Sequence, residues 1–236
     1  MPFLLLWVCA AAVRVMFEPA NPEVGPFPTD QLTVTDTTQK TGRRVNLPLP
    51  DCARLESSCN EIRTVNQLDG FNLAPRLSVR FSAPINHHTV GDGVFLVWLE
   101  NLNEEENGLG RTGDISTINQ VIYDPATYIA YAKPDNFLDQ HRRYLLVVTD
   151  TVKDQAGVPV EADPAFTACI TEPGGEYCAT LSKYLKLMAP RIGARKVTGA
   201  SIFTSMTATA WVERARARLG DTQIVYQRTG TKSVFE

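Results

Sequence analysis

The run Leu77-Ser78-Val79-Arg80-Phe81-Ser82-Ala83-Pro84 limits the fold of this chain more than any other stretch. Leu77, Val79 and Phe81 alternate with Ser78, Arg80 and Ser82, a period of two that buries one face of a strand and leaves the other wet. Pro84 has no N–H to donate and stops the ladder. The preceding Asp69-Gly70-Phe71-Asn72-Leu73-Ala74-Pro75 reads as a turn feeding this strand. A half-buried strand of this kind is what a β-sandwich needs.

Further strands follow at regular intervals. Val94-Phe95-Leu96-Val97-Trp98-Leu99 is apolar throughout, so both its faces need cover, one from a partner sheet and one from a loop or neighbouring domain. Val121-Ile122-Tyr123-Asp124 and Tyr128-Ile129-Ala130-Tyr131-Ala132 flank Pro125-Ala126-Thr127, a turn of hairpin length. Tyr144-Leu145-Leu146-Val147-Val148-Thr149 is another core strand, and Lys153-Asp154-Gln155-Ala156-Gly157 another turn. Upstream, Gln31 to Thr35 and Val45-Asn46-Leu47-Pro48 are short strand or edge segments, and the acidic, glycine-containing stretch 101–113 is a loop. Many short strands with regular turns predict a mainly β protein. Beyond Cys178 the period changes to that of helices. Leu181, Tyr184, Leu185 and Met188 form one stripe, limited by Pro190, and Ala208, Trp211, Val212, Ala215 and Leu219 form another, ended by Gly220. Between the stripes, residues 195–204 read as a strand, and Gln223-Ile224-Val225-Tyr226 as one more.

An apolar fraction of 44% and a charged fraction of 21% are those of a chain able to bury a core without metal staples. The formal charge of −3, with no basic face, argues against nucleic acid as a partner. Arg214, Arg216 and Arg218 are the exception, and a solvated helix face is the simpler account of them. The apolar run from Phe3 to Val13 is too short to span a bilayer, which takes about 20 residues, and reads as the core of an export signal over 1–16. It lacks a basic start, and a buried first strand is the rival reading. Cys9 lacks the small flanking pair of a lipidated cysteine. The remaining cysteines fall into two close pairs, Cys52 with Cys59 and Cys169 with Cys178, which predicts two disulfides and an oxidising compartment. Glu172-Pro173-Gly174-Gly175 between the second pair is a turn, so its flanks should meet as a hairpin. Zinc is the rival, weakened by the long spacing and the absence of a nearby histidine.

No catalytic residue can be assigned. The nearest approach to a nucleophile elbow is Gly199-Ala200-Ser201-Ile202-Phe203, which has Phe203 where the second glycine belongs and lies within a strand. His87 and His88 sit in a turn near Asp92, without further ligands placed beside them. Glu104, Glu105 and Glu106 read as a solvated loop, with calcium held by these, Asp92 or Asp114 as the alternative. No cofactor follows from any motif.

Phe17-Glu18-Pro19, Pro26-Phe27-Pro28-Thr29-Asp30 with Leu32, Asn46-Leu47-Pro48, Leu68-Asp69-Gly70-Phe71, Pro75, Phe81 and Tyr144 together resemble the N-terminal domain of bacterial virulence-factor-type lipases, which are secreted or surface-attached α/β-hydrolases. The resemblance covers residues 17–166. From residue 75 to 160 the chain is also similar to bacterial immunoglobulin-like modules of surface-layer and adhesive proteins, through Phe81-Ser82-Ala83-Pro84, Thr89-Val90, the tyrosine-led strand and the turn at Lys153. These likenesses imply an immunoglobulin-like β-sandwich over 75–178 with a short C-terminal α/β segment, and a proline-rich region, 17–74, packed on it. Residues 179–236 would then be a linker or the start of a hydrolase domain, too little for a hydrolase sheet. The implied role is a non-catalytic accessory domain of an exported lipase or esterase, partnered by the catalytic α/β-hydrolase domain in cis or in trans, with cell-surface or lipid-substrate contact. The alternative is a free-standing adhesion or glycan- or protein-binding module.

Overall fold

The computed structural model describes residues 12–101 and 111–221. Most of the expected signal segment, Cys9, Glu104 to Glu106 and the strand expected at Gln223 to Tyr226 lie outside the described residues. The first part of the chain holds β1 (Arg14–Val15), β2 (Thr33–Thr35), β3 (Arg43–Val45) and helix α1 (Glu56–Val65). The middle holds β4 (Leu77–Arg80), β5 (Ile85–Asn86), α2 (Val90–Gly93), β6 (Val94–Asn101), β7 (Ile115–Ser116), β8 (Ile118–Asp124), β9 (Ile129–Pro134), β10 (Arg142–Thr149), β11 (Lys153–Asp154) and β12 (Glu161–Ala162). Helices α3 (Pro164–Thr171) and α4 (Glu176–Ile192), strand β13 (Val197–Thr204) and helix α5 (Ala210–Asp221) complete it.

The largest sheet has the order β13-β10-β6-β7, and a second has β4-β9-β8. Alternation along the strands sorts side chains to the two faces of the larger sheet. Val94, Leu96, Leu146, Val148 and Phe203 face the second sheet and share a core with Leu77, Val79, Ala130 and Ala132. Phe95, Val97, Leu145, Val147, Ala200 and Ile202 point the other way, into a second core with Phe166 of α3 and Leu181, Tyr184, Met188 and Ile192 of α4. The continuously apolar β6 is thus explained, and what covers its outer face is a helix pair from the same chain. Helix and strand are mixed in this protein, in several small sheets, where a mainly β chain was expected. The apolar stripe of α4 packs on that outer face.

Local chemistry sets these helices. Asp163 caps α3, its side chain accepting from Ala165 N at 2.8 Å, and Pro164 occupies the first turn, where its missing N–H costs nothing. Cys169 and Cys178 are bonded, but the link ties α3 to α4, correcting the expected hairpin. Cys52–Cys59, also bonded, fastens the start of α1, a helix the sequence reading did not anticipate.

Val13 and Val15 are core residues, and Arg14 and Met16 exchange backbone hydrogen bonds with Ser82 and Arg80 at 3.0 and 2.9 Å. Residues 13–16 therefore pack with the strand that opens the middle of the chain. Likewise β13 pairs with β10 along its whole length, from Thr204 opposite Arg143 to Val197 opposite Thr149. Residues of α4 and β13 thus pack with the strands of the middle of the chain.

Candidate functional site

Strand β13 has β10 on one side only. Its outer edge is met by the first part of the chain, using the segments that carried the lipase-like resemblance. Asp30 accepts from Thr204 N and Thr204 Oγ1, both at 2.8 Å, while Ser201 Oγ donates to the Pro28 carbonyl at 2.7 Å. Asp69 accepts from Thr207 N at 2.7 Å and from the Thr207 hydroxyl. Phe71 N donates to Thr204 O and Met206 N to Phe71 O, each at 2.8 Å. Gly70 permits that approach, since a Cβ there would lie 2.7 Å from the Thr204, Ser205 and Met206 backbone. Gly199, the first glycine of the near-elbow, has the same kind of reason: a Cβ would sit 2.5 Å from Val15 Cγ1.

A cleft of about 500 Å³ opens beside Asp30, between this leader and the start of α4. Arg43 from β3 and Arg143 from β10 converge on its floor, each with Nε 3.7 Å from Asp30 Oδ2. Arg143 also donates to Glu100 Oε1 at 2.5 Å and Arg43 to Thr33 Oγ1 at 3.2 Å. The Nε of Arg143 is buried and has no hydrogen-bond partner among the described residues. Burial pushes the Asp30 carboxyl above the ordinary carboxylate range, with Arg43 and Arg143 pulling the other way. Tyr177, at the back of the cleft, bonds Thr29 Oγ1 at 2.8 Å, and burial raises its phenol well above the usual value. Helix α4 begins here at Gly175, which has no side chain to cap the first-turn N–H groups. Glu18 and Glu176 stand on the lining as well.

The residues singled out from the sequence are placed as follows. Ser201 is fully buried in β13, bonded to Pro28 O, and unreachable as a nucleophile. His87 and His88 lie together on an exposed turn, with ring centroids 4.1 Å apart and the His87 ring stacked on Tyr123. Asp92 is in the short α2, and Asp114 accepts from Arg111 N at 2.8 Å. Among the described residues no three His, Cys, Asp or Glu side chains gather as metal ligands, and no helix is long and apolar enough to cross a membrane. The sequence reading missed His141, whose Nε2 lies 2.6 Å from Thr207 Oγ1 in a carboxylate–hydroxyl–imidazole chain with Asp69. All three are buried, so the chain fastens the exit of β13 and offers no nucleophile to solvent. It also missed the pairing of Arg43 with Arg143. The only local hint was an Arg142-Arg143 pair opening an otherwise apolar strand.

No family model matches this chain, and no curated protein does. Among solved structures, the structure of domains 1–6 of the surface-layer protein SbsC is similar at a TM-score of 0.28 and 14% identity, over 46% of this chain and 15% of that one. The N-terminal part of the same bacterial protein gives 0.28 and 15%, over 47% and 26%. The chain thus spans about a quarter or less of the proteins it matches, and a likeness this low carries no argument about fold or function.

Proposed function

We propose that this chain is the non-catalytic N-terminal accessory domain of an exported lipase- or esterase-type serine hydrolase, built on an immunoglobulin-like sandwich that positions or presents the catalytic domain. The observation that carries this reading is helix α5. It follows β13 with Trp211 59%, Val212 71% and Leu219 69% exposed, an apolar stripe left largely open among the described residues. A following domain would cover it. The sequence resemblance over residues 17–166 supports the hydrolase identity of that domain. The two disulfides are consistent with an extracellular protein, and periplasmic, surface or secreted placement is part of the proposal. The test is to read the coding DNA beyond Glu236 and the adjacent genes. A hydrolase sheet carrying Gly-x-Ser-x-Gly there supports the reading, and its absence overturns it.

A second reading, a free-standing adhesion or glycan- or protein-binding module, is favoured by the arginine-floored cleft. Under either reading the isolated chain should not turn over p-nitrophenyl esters. Hydrolysis abolished by Ser201→Ala, in a variant that stays folded, would break both.

A further inference from the structure

We infer that Cys52 is a modification site: a small thiol opens the Cys52–Cys59 disulfide there, forms a mixed disulfide on Cys52 and releases the first turn of α1. The inference is independent of whether the chain serves a hydrolase or acts alone.

The two disulfides stand in different surroundings. Cys169 is a member of the second core and Cys178 packs against it, on helices that Phe166, Leu181 and Tyr184 hold in place by their own burial. Cys52 and Cys59 belong to neither core. Cys52 is partly exposed in a surface turn, whereas Cys59 is fully buried, so an attacking thiol reaches Cys52 and not its partner. Arg63, exposed on α1, has Nη2 3.8 Å from Cys52 Sγ, and its Nη1 donates to Asn60 Oδ1 at 2.9 Å, which keeps it there. Exchange proceeds through a thiolate, and a guanidinium touching the attacked sulfur favours the approach of that negative charge. Asp51, next to Cys52 in the chain, is turned away onto Ala53 N at 3.1 Å. The charged group in the first turn of α4 beside Cys178 is instead Glu176.

The architecture makes this opening local. Cys59 is the only buried residue of α1. The far end of the helix is held separately, Asn66 pairing with Leu47 N and O at 2.8 and 2.9 Å and Arg44 donating to Asn66 O at 3.1 Å. The near end has the disulfide, and Leu55 offers it no side-chain cap. Ile62 of α1 lines a groove of about 320 Å³ together with Pro48, Leu49 and Pro50, so freeing the helix moves one wall of that groove.

In the first step the thiolate RS⁻ attacks Cys52 Sγ, a Cys52–S–R bond forms, the Cys52–Cys59 bond breaks, and Cys59 leaves as a thiolate that takes a proton from solvent. A second thiol attacks the R sulfur and releases RSSR and the Cys52 thiol. Two thiols thereby lose the two electrons that the protein disulfide gains.

Incubation of the whole protein with reduced glutathione at neutral pH, quenching with N-ethylmaleimide and peptide mapping test this. Glutathione should appear on Cys52, with Cys59 alkylated, about tenfold or more faster than Cys169 or Cys178 reacts, the contrast expected between an accessible and an embedded disulfide. Amide exchange over 57–62 should then rise while 97–99 and 145–147 keep their protection. Arg63→Gln, an exposed substitution, should slow the opening severalfold. Opening of both disulfides at one rate, glutathione on Cys59 instead of Cys52, unchanged exchange over 57–62, loss of protection at 145–147 as well, or an unchanged rate in Arg63→Gln would each overturn the inference.

Discussion

Strand β13 and helix α5 follow one another in the chain and both carry an apolar stripe, yet the fold treats them oppositely. From Thr198 to Thr204 every residue of β13 is buried, whereas α5 is exposed at Trp211, Val212 and Leu219. The difference does not lie in their own sequences. β13 finds Val15 seated on Gly199, Asp30 on the N–H and hydroxyl of Thr204, and Phe71 on Phe203, with Asp69 holding Thr207 just past its end. α5 carries a Lys40–Glu213 ion pair at 2.5 Å, both ends of which are well exposed, and Thr209 just before it donates to Gln140 Oε1 at 3.3 Å. Such a surface pair is worth about 0–1 kcal/mol. Apolarity says that a surface needs cover; only the complementary surface says which element receives it.

The comparison is sharpest in hydrogen exchange. Amides 200–203 should be as protected as those of 94–99, opening only with the whole protein, while amides 213–219 should exchange through cheap local opening. Fast exchange at 200–203 would mean that β13 is no more docked than α5. The next largest effect is expected at the clamp. Asp30→Ala leaves two arginines without their buried counter-charge and should cost about 3–5 kcal/mol in urea unfolding. Asp30→Asn, which keeps an acceptor for Thr204 N and removes the charge that burial disfavours, should cost clearly less. Equal losses would show that charge balance is not what Asp30 contributes. Gly70→Ala should cost about 1–3 kcal/mol or more, since the clash is with backbone that cannot rotate away. On the helix, Trp211→Ser should stay within about 0.5 kcal/mol in this chain, and a larger loss would reveal a contact of α5 with the rest of the chain. The smallest effect concerns the β8–β9 hairpin. Asp124 accepts from Thr127 Oγ1 at 2.6 Å and Ala126 N at 2.9 Å, bonds that hold its carboxyl below the usual range. Its contribution to stability is therefore present above the unfolded value, about 3.9, and lost as pH falls through the lower folded value. The Ala126 amide shift should titrate there, and in Asp124→Asn it should not.

Much of the inner layer was legible in the sequence because the signals there are local. The period of two at Leu77, Val79 and Phe81, the apolar runs at 94–99 and 144–149 and the turn at Pro125 to Thr127 lie where β4, β6, β10 and the β8–β9 hairpin form. Cysteine spacing anticipated both disulfides. What escaped was everything set by long-range complementarity. The stripe of Leu181, Tyr184, Leu185 and Met188 announces a helix with an apolar face, but not that it continues through Pro190 to Ile192 or that Val97 and Val147 are what it covers. Gly199-Ala200-Ser201 resembles part of an elbow because a glycine that admits Val15 and one that permits a sharp turn look alike in a string. The cleft was invisible because Arg43 and Arg143 belong to different strands and different sheets, and no periodicity joins them.

The fastening of β13 has a consequence for the order in which the protein is made. Its partners Pro28 and Asp30 lie 173 and 174 positions earlier, and Asp69 lies 138 before Thr207. Contacts of such span form only after a large loss of chain freedom, and they cannot form on a ribosome until β13 has emerged. Until then β10 waits with an open edge, apolar from Tyr144 to Val148, and Asp30 and its two arginines lack the threonine that joins them to the sheet. An unpaired edge of that kind is an invitation to neighbouring chains. A nascent chain that has reached only α4 is thus at its most adhesive, and the arrival of eight residues, Val197–Thr204, ends that exposure at once.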